Sequence, residues 1–267
     1  VLAVVGGGGF IGQNVCKAFP HHRVIERGDP LDFAGCDAVI HLGANADVRG
    51  GWRNPTADLD AGPVLTSQVL EAMRAHDVRR LIFASSAAIY PPALGPHHET
   101  EAPRATSLYA ASKVAGEQLI HAYQAADKID PTILRFVSVL GPHYSHGLLV
   151  DFVKNATPEK LPVLAPGTAQ KSYVHVLDVI YAMRIVLAKN VTGTFNVARD
   201  ETATPLQIAQ WTLEALGYDD AEVVLEGETW VGDNPVIRCD TQKLKGLGWK
   251  PSHRIDWSVK DTVRWLA

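Results

Sequence analysis

Tyr109 and Lys113 stand four residues apart in the run YAASK, a spacing that puts a phenol and an ammonium on one helix face, a turn from each other. A phenol with an ordinary pKa of about 10 is a poor base at neutral pH, but a neighbouring cation favours its ionised form. Such a pair could take a proton from a hydroxyl as the same carbon is oxidised, with Lys113 also holding a cofactor ribose. Ser86, in FASSAAIYP at Phe83 to Pro91, could donate a hydrogen bond to the reacting oxygen. That chemistry needs an oxidant, and VVGGGGFIG at Val4 to Gly12 has the form of a place for one. Gly6, Gly9 and Gly12 recur every third residue between an apolar strand and a helix carrying Phe10, Ile11, Val15 and Phe19. This pattern lets a chain turn tightly, approach a pyrophosphate and pack a helix closely on a sheet, with the helix N–H groups facing the phosphates. Ordinary helix surface also yields a Tyr with a Lys four residues on, and four glycines also make a flexible turn. The order of glycine turn, serine strand end and Tyr-Lys pair favours the catalytic assignment.

The elements that must position these groups alternate. Buried strands are expected at Val1 to Val5, Arg23 to Glu26, Ala38 to Leu42, Leu81 to Ser85 and Thr132 to Val137. Sheet-covering helices are expected at Pro63 to Ala75 and Tyr109 to Ala125, from the spacing of their apolar residues. Strands alternating with helices argue for an α/β fold, a doubly wound parallel sheet of Rossmann-like type. After Gly141 the texture changes to loops, followed by a helix at Leu177 to Leu187, a strand near Thr194 to Val197 and helices at Pro205 to Leu216 and Trp257 to Leu266. Residues 1–140, with about 172–198, are therefore expected to form a dinucleotide domain. About 141–171 and 199–267 are expected to form a smaller C-terminal substrate lobe. Between Val24 and Asp37 there is room for neither the usual intervening helix nor a further strand. Glu26 ends the second strand, where a carboxylate can accept from both ribose hydroxyls of NAD, while Arg27 beside it could instead pair with a 2′-phosphate; the carboxylate is favoured.

The 267 residues suffice for a large α/β domain with a smaller cap, and a net charge of −4 with acids and bases mixed points to neither nucleic acid nor an anionic membrane. No apolar stretch approaches the roughly 20 residues that span a bilayer, and no signal peptide precedes the first strand, so a cytoplasmic location is expected. The first residue lies inside a strand and is not Met, so a few natural residues are expected to precede it. Cys16, Cys36 and Cys239 are scattered and odd in number and read as reduced thiols. The doublets His21-His22 and His97-His98 read as solvated turn residues rather than metal ligands, and no metal is expected. His41, ending a strand, reads as a structural histidine.

Together with GGGGFIG and YAASK, the runs DAVIHLGA at Asp37 to Ala44, LRFVSVLGPHYSHG at Leu134 to Gly147, QKSYVHVLDV at Gln170 to Val179 and WVGDNP at Trp230 to Pro235 resemble the extended short-chain dehydrogenase/reductase family, specifically its nucleotide-sugar epimerase branch. The resemblance covers nearly every residue. It implies bound NAD, with Gly6, Gly9, Phe10, Ile11 and Gly12 at the phosphates, Leu42, Gly43 and Ala44 along the cofactor, and Asp29 or Asp32 near the adenine. Ser86, Tyr109 and Lys113 would be the catalytic set. Asn45 and Arg49 would lie near the sugar, and Ser138, His146, Gly147, Leu148, Leu149, Lys171, Tyr173, Trp230 and Asp233 would face the nucleotide diphosphate. Core packing is the alternative for Tyr173 and Trp230. Lys171 stands where the family usually has a diphosphate-binding Arg, Ser138 where it often has Asn, and Gly62 where it has Asn. Ala87 and Ala88 follow Ser86 where related 4,6-dehydratases need an Asp-Glu pair, so dehydration is not expected. The resemblance implies a UDP-sugar 4-epimerase acting on UDP-glucose and UDP-galactose through transient C4 oxidation, and a homodimer formed through the helices at Pro63 to Ala75 and Tyr109 to Ala125. The alternatives are an oxidoreductase with net cofactor turnover, and a cofactor-binding sensor without catalysis.

Overall fold

The computed structural model describes residues 1–45, 47–92, 94–228 and 233–267. Its first half runs β1 (Leu2–Val5), α1 (Phe10–Ala18), β2 (His22–Ile25), β3 (Ala38–His41), α2 (Pro55–Leu59), a single π turn (Asp60–Val64), α3 (Leu65–Ala75), β4 (Arg80–Ser86), α4 (Leu108–Ala125) and β5 (Asp130–Phe136). Then follow β6 (Ser138–Leu140), α5 (Leu148–Asn155), β7 (Lys160–Leu164), β8 (Gln170–Lys171), β9 (Tyr173–His175), α6 (Val176–Ala188), β10 (Gly193–Val197), α7 (Pro205–Leu216), β11 (Glu222–Glu226), β12 (Val236–Ile237), α8 (Gln242–Lys245) and α9 (Ile255–Leu266). Every anticipated strand and helix is present within a few residues of its expected bounds. The helix expected from Pro63 begins as α3 at Leu65, because Pro63 sits in the π turn, where Gly62 breaks the helical path at φ −102°, ψ −105°.

The central sheet is parallel throughout, in the order β10-β5-β4-β3-β1-β2. β3 and β4 are buried along their whole length, which is why their sequences, AVIH and RLIFASS, are apolar or small without alternation apart from His41 and Arg80, both of which are buried with hydrogen-bond partners. One face of the sheet closes over Val15 of α1 and Val179 and Met183 of α6, and the other over Val69 and Met73 of α3 and Ile120 of α4. Residues 26–37 contain neither helix nor strand, as the short interval required. β2 and β3 consequently pair on opposite sides of β1, with Ala3 opposite both Arg23 and Val39. The strand order therefore reverses at β1, and its C-terminal end opens a crevice at the place where doubly wound sheets bind ligands.

A third apolar cluster gathers Leu149 and Phe152 of α5, Ile208 and Leu213 of α7, and Val259 and Val263 of α9. The start of α7 is held by a reciprocal cap in which Thr204 and Gln207 satisfy each other's backbone N–H, with Pro205 in the first turn and Gly217 in the left-handed region at its end. The tail is tied to the sheet side by Trp249, fully buried, whose indole donates to Asp178 O at 2.9 Å. Among the described residues no helix is long and apolar enough to cross a membrane.

Candidate active site

The glycine turn is built for close approach. Gly6 lies at φ +81°, and a Cβ on it would stand 3.1 Å from Gly43 N, so two chain segments cross there. At Gly12 a Cβ would fall 2.2 Å from Gly6 O and 2.5 Å from Gly7 O, which is how closely α1 seats on its own turn. Gly9 caps α1 with no side-chain bond, leaving first-turn N–H groups open to the crevice. Gly6, Gly9, Phe10, Ile11, Gly12, Leu42 and Ala44 line a cavity of about 1190 Å³, whereas Gly43 is turned away from it, against Gly6 and the Leu65 side chain. Its volume and a pyrophosphate cradle with no side chain in the way fit a dinucleotide.

Glu26 reaches this turn, its carboxylate accepting from Gly8 N at 2.5 Å. Asp29 stands behind it, accepting from Glu26 N at 2.9 Å, and Arg27 is exposed outside the cavity lining. Asp32 is not brought to the turn: it pairs with Arg23 at 3.2 Å and His76 at 3.3 Å and accepts from Ala34 N. Of the four adenosine-side residues, Glu26 alone touches the glycine turn.

Ser86, Tyr109 and Lys113 converge on the inner wall of the same cavity. Ser86 closes β4, and its Oγ accepts from Ala88 N at 3.1 Å. Tyr109 lies in the first turn of α4, which Ser107 caps by accepting from Ala110 N at 3.2 Å. Lys113 is 3% exposed; its ammonium donates to Ala84 O at 2.7 Å and lies 5.8 Å from the Tyr109 ring centre. Burial pushes the Tyr109 phenol up, the Ser86 hydroxyl draws it down, and the Asp58 carboxylate adds a further push upward. Burial lowers Lys113 to about 8 against the opposing charge of Glu117. His41, behind it in β3, is fully buried and pushed down to about 3 by desolvation and Lys113; its Nε2 bonds Thr66 Oγ1 at 3.1 Å, while its Nδ1 has no partner among the described residues, so the histidine is only half satisfied.

A buried network holds this wall. Glu117, one turn beyond Lys113, receives Arg135 Nε at 3.0 Å and Nη2 at 2.7 Å, and Ser85 Oγ at 2.5 Å. Arg135 continues to the Tyr90 hydroxyl, which donates to Asn196 Oδ1 at 2.7 Å. His97 corrects its expectation as a solvated turn residue: it is 1% exposed, stacked on Tyr90 with ring centres 4.7 Å apart and bonded to Glu101 at 2.8 Å. The stack on Tyr90 and the Glu101 bond at Nδ1 hold in the interior, with Nε2 left unpartnered among the described residues, an imidazole that the local turn signal places in water.

Beyond the catalytic wall, Asn45, Arg49, Ser138, His146, Gly147, Leu148, Lys171, Tyr173 and Asp233 all line the cavity. Leu149 does not; it is 1% exposed in the third apolar cluster, because successive residues at the start of α5 point to different faces. Lys171 and Asp233 meet as an ion pair at 2.5 Å, and Arg49 crosses from its loop to Asp151 of α5 at 2.8 Å. Burial lowers His146. Trp230 lies outside the described residues. Tyr144, packed edge-on against Phe10 at 5.3 Å and pushed up to about 12 by burial, lines the cavity and was not anticipated, although it stands in the same HYSHG run. Asp58 was also missed; a lone acid in a five-residue helix carries no periodic signal.

A parallel sheet with a side-chain-free phosphate cradle at its switch point, continuous with a buried Tyr-Lys pair, is the architecture of a dinucleotide-dependent enzyme. Residues 26–198 match the model of the NAD dependent epimerase/dehydratase family; the chain belongs to that family, and NAD is its cofactor. It is similar to the UDP-glucose 4-epimerase of Corynebacterium glutamicum, at 27% identity over 94% of this chain and 91% of that one. It is likewise similar to the UDP-glucuronate 4-epimerase of Thermodesulfobacterium geofontis, at 28% identity over 85% of this chain and 72% of that one. Among solved structures, the UDP-glucose 4-epimerase of Thermus thermophilus in complex with NAD superposes with a TM-score of 0.88 at 25% identity, covering 99% of this chain and 98% of its own.

Proposed function

We propose that this protein is a UDP-hexose 4-epimerase that interconverts UDP-glucose and UDP-galactose with tightly held NAD. The observation that carries it is that Ser86, Tyr109 and Lys113 line one cavity together with the glycine turn and with Lys171 and Tyr173. When bound, the nicotinamide of NAD supplies reversible two-electron oxidation of the sugar's C4. Tyr109 accepts the C4 hydroxyl proton as C4 is oxidised and, once the 4-keto sugar has turned over and C4 is reduced from its opposite face, returns that proton to the C4 oxygen. Ser86 donates a hydrogen bond to the C4 oxygen, and Lys113 supports the phenolate and holds the nicotinamide ribose. Ala87 and Ala88 line the cavity beside Ser86 and offer no acid–base pair for elimination, which supports epimerisation over dehydration.

In this reading Gly6, Gly9, Phe10, Ile11 and Gly12 receive the pyrophosphate, Leu42 and Ala44 flank the cofactor, and Glu26 accepts from the adenosine ribose. Lys171, Tyr173, Ser138, His146, Gly147 and Leu148 receive the nucleotide diphosphate, with Asp233 steering Lys171 and with Asn45 and Arg49 nearer the sugar. Residues 1–140 with about 172–198 form the NAD-binding domain, and the third apolar cluster supports a separate sugar-nucleotide lobe in 141–171 and 199–267. A homodimer through α3 and α4, which lie side by side with Tyr123 bonded to Glu71, and a cytoplasmic location consistent with three free cysteines complete the proposal. Proton NMR of UDP-glucose with the enzyme and catalytic NAD tests it. Appearance of the galactose anomeric signal without net NADH is expected. Steady NADH formation points to a net oxidoreductase, and turnover only of the uronic acid or acetylamino analogue reassigns the sugar.

A further inference from the structure

Asp58 is 1% exposed, in the short helix α2, and only one of its oxygens is partnered: Oδ1 accepts from Asn45 Nδ2 at 3.2 Å, while Oδ2 has no hydrogen-bond partner among the described residues. A Cβ on Gly51 would lie 2.7 Å from that free Oδ2 and 3.5 Å from the Cβ of Leu108, the residue before Tyr109. The π turn that follows α2 seats equally tightly, since a Cβ on Gly62 would stand 2.7 Å from Ser112 Cβ. Glycines at both ends of α2 thus clamp Asp58 against the first turn of α4, which carries Tyr109. A buried carboxylate oxygen left unpaired costs stability that an apolar residue would not, so its presence calls for a reason.

We propose that Asp58 is a positioning residue for the Tyr109 phenol: a fixed buried negative charge, anchored through Asn45, that opposes Lys113 and keeps the phenol's proton exchangeable in both halves of the reaction. The inference rests on Tyr109 being the acid–base group. An epimerisation asks that group to accept a proton and then return it. Lys113, together with the cationic nicotinamide that would be present in the first half, would stabilise the phenolate so far that it takes up the C4 proton poorly, and a general acid–base group works best with its pKa near the working pH. Among the described residues, the groups toward Tyr109 are Lys113 on its own helix, 5.8 Å from the ring centre, Ser86 from the end of β4 and Asp58 from α2; burial raises Asp58 itself, the Asn45 bond lowers it and Asp47, from the preceding loop, raises it further, and the neutral His41 of β3 stands behind Lys113. The charge of Asp58 raises the phenol, in the direction the proposal needs.

Asp58→Asn removes the charge and keeps the shape. Phenolate ultraviolet absorbance of the NAD-loaded enzyme is titrated with pH, and the matching Tyr109→Phe protein is subtracted to isolate one phenol. The midpoint is expected to fall by about one pH unit, a tenfold rise in phenolate at fixed pH below it. The acid limb of kcat against pH should move down with it, and Asp58→Glu should restore both. If Asp58→Asn does not fold, Asp58→Ser, which leaves room for a water, carries the same expectation. A midpoint that stays put or rises, or that falls equally in Asp58→Glu, overturns the role of Asp58. The titration needs no sugar, so a shifted midpoint in an enzyme that turns over no nucleotide sugar refutes the proposed function and leaves Asp58 standing.

Discussion

Replacing Gly12 by Ala separates what the glycine turn does for the fold from what it does for the ligand. The added methyl would fall 2.2 Å from Gly6 O, 2.5 Å from Gly7 O and 2.6 Å from Gly7 C, all backbone atoms of a turn that cannot rotate away. Relief requires α1 to lift by about 1 Å, and overpacking of this kind costs about 2 kcal/mol. For a chain of this size that lowers Tm by about 4–8 °C in the absence of NAD. Gly9→Ala is the internal contrast, because the nearest atom to its added Cβ is Gly6 O at 3.5 Å, an ordinary contact. Gly9→Ala should therefore melt with the parent protein while losing NAD affinity, since its methyl would point where a pyrophosphate must come close. Differential scanning calorimetry of both variants, paired with calorimetric titration of NAD, reads the two effects separately. Refutation would be Gly12→Ala melting like the parent, or Gly9→Ala binding NAD as tightly as the parent does.

Tyr109→Phe should reduce kcat by about 10²–10⁴-fold with NAD binding kept, as measured by epimerisation rate and NAD titration; loss of NAD binding instead would make the phenol structural. Lys113 is held at about 8, below the ordinary lysine value of 10.5, so between those pH values the unfolded chain binds more protons than the folded one and stability rises with pH across that window. Lys113→Met abolishes this term, so the melting temperature of the variant relative to the parent should be highest near pH 7 and decline as pH rises through 8 and beyond; a constant offset refutes the burial argument. Glu117→Gln leaves Arg135 buried beside a neutral partner and should cost about 3–5 kcal/mol by denaturant unfolding, far more than a surface ion pair such as Arg74-Glu71.

The amino-acid sequence by itself determined the strands, the helices, the glycine turn and the Tyr-Lys pair, because each is written in a local period: uninterrupted apolar runs for buried parallel strands, apolar residues every three or four for helices, glycines every three for the turn. Brevity alone also specified that no helix or strand lies between β2 and β3, since residues 26–37 suffice to cross over β1 but not to carry a covering helix as well. Only the tertiary structure decided which distant groups meet. Lys171 finds Asp233 across 62 residues, Arg135 and Glu117 join β5 to α4, and Leu149 faces a core while its neighbour Leu148 faces the cavity. His97 left the solvent for a stack on Tyr90, and Asp58 came to lie beside the first turn of α4, for the same reason. Burial and electrostatic coupling depend on what packs against a residue from elsewhere in the chain, and no local period records that.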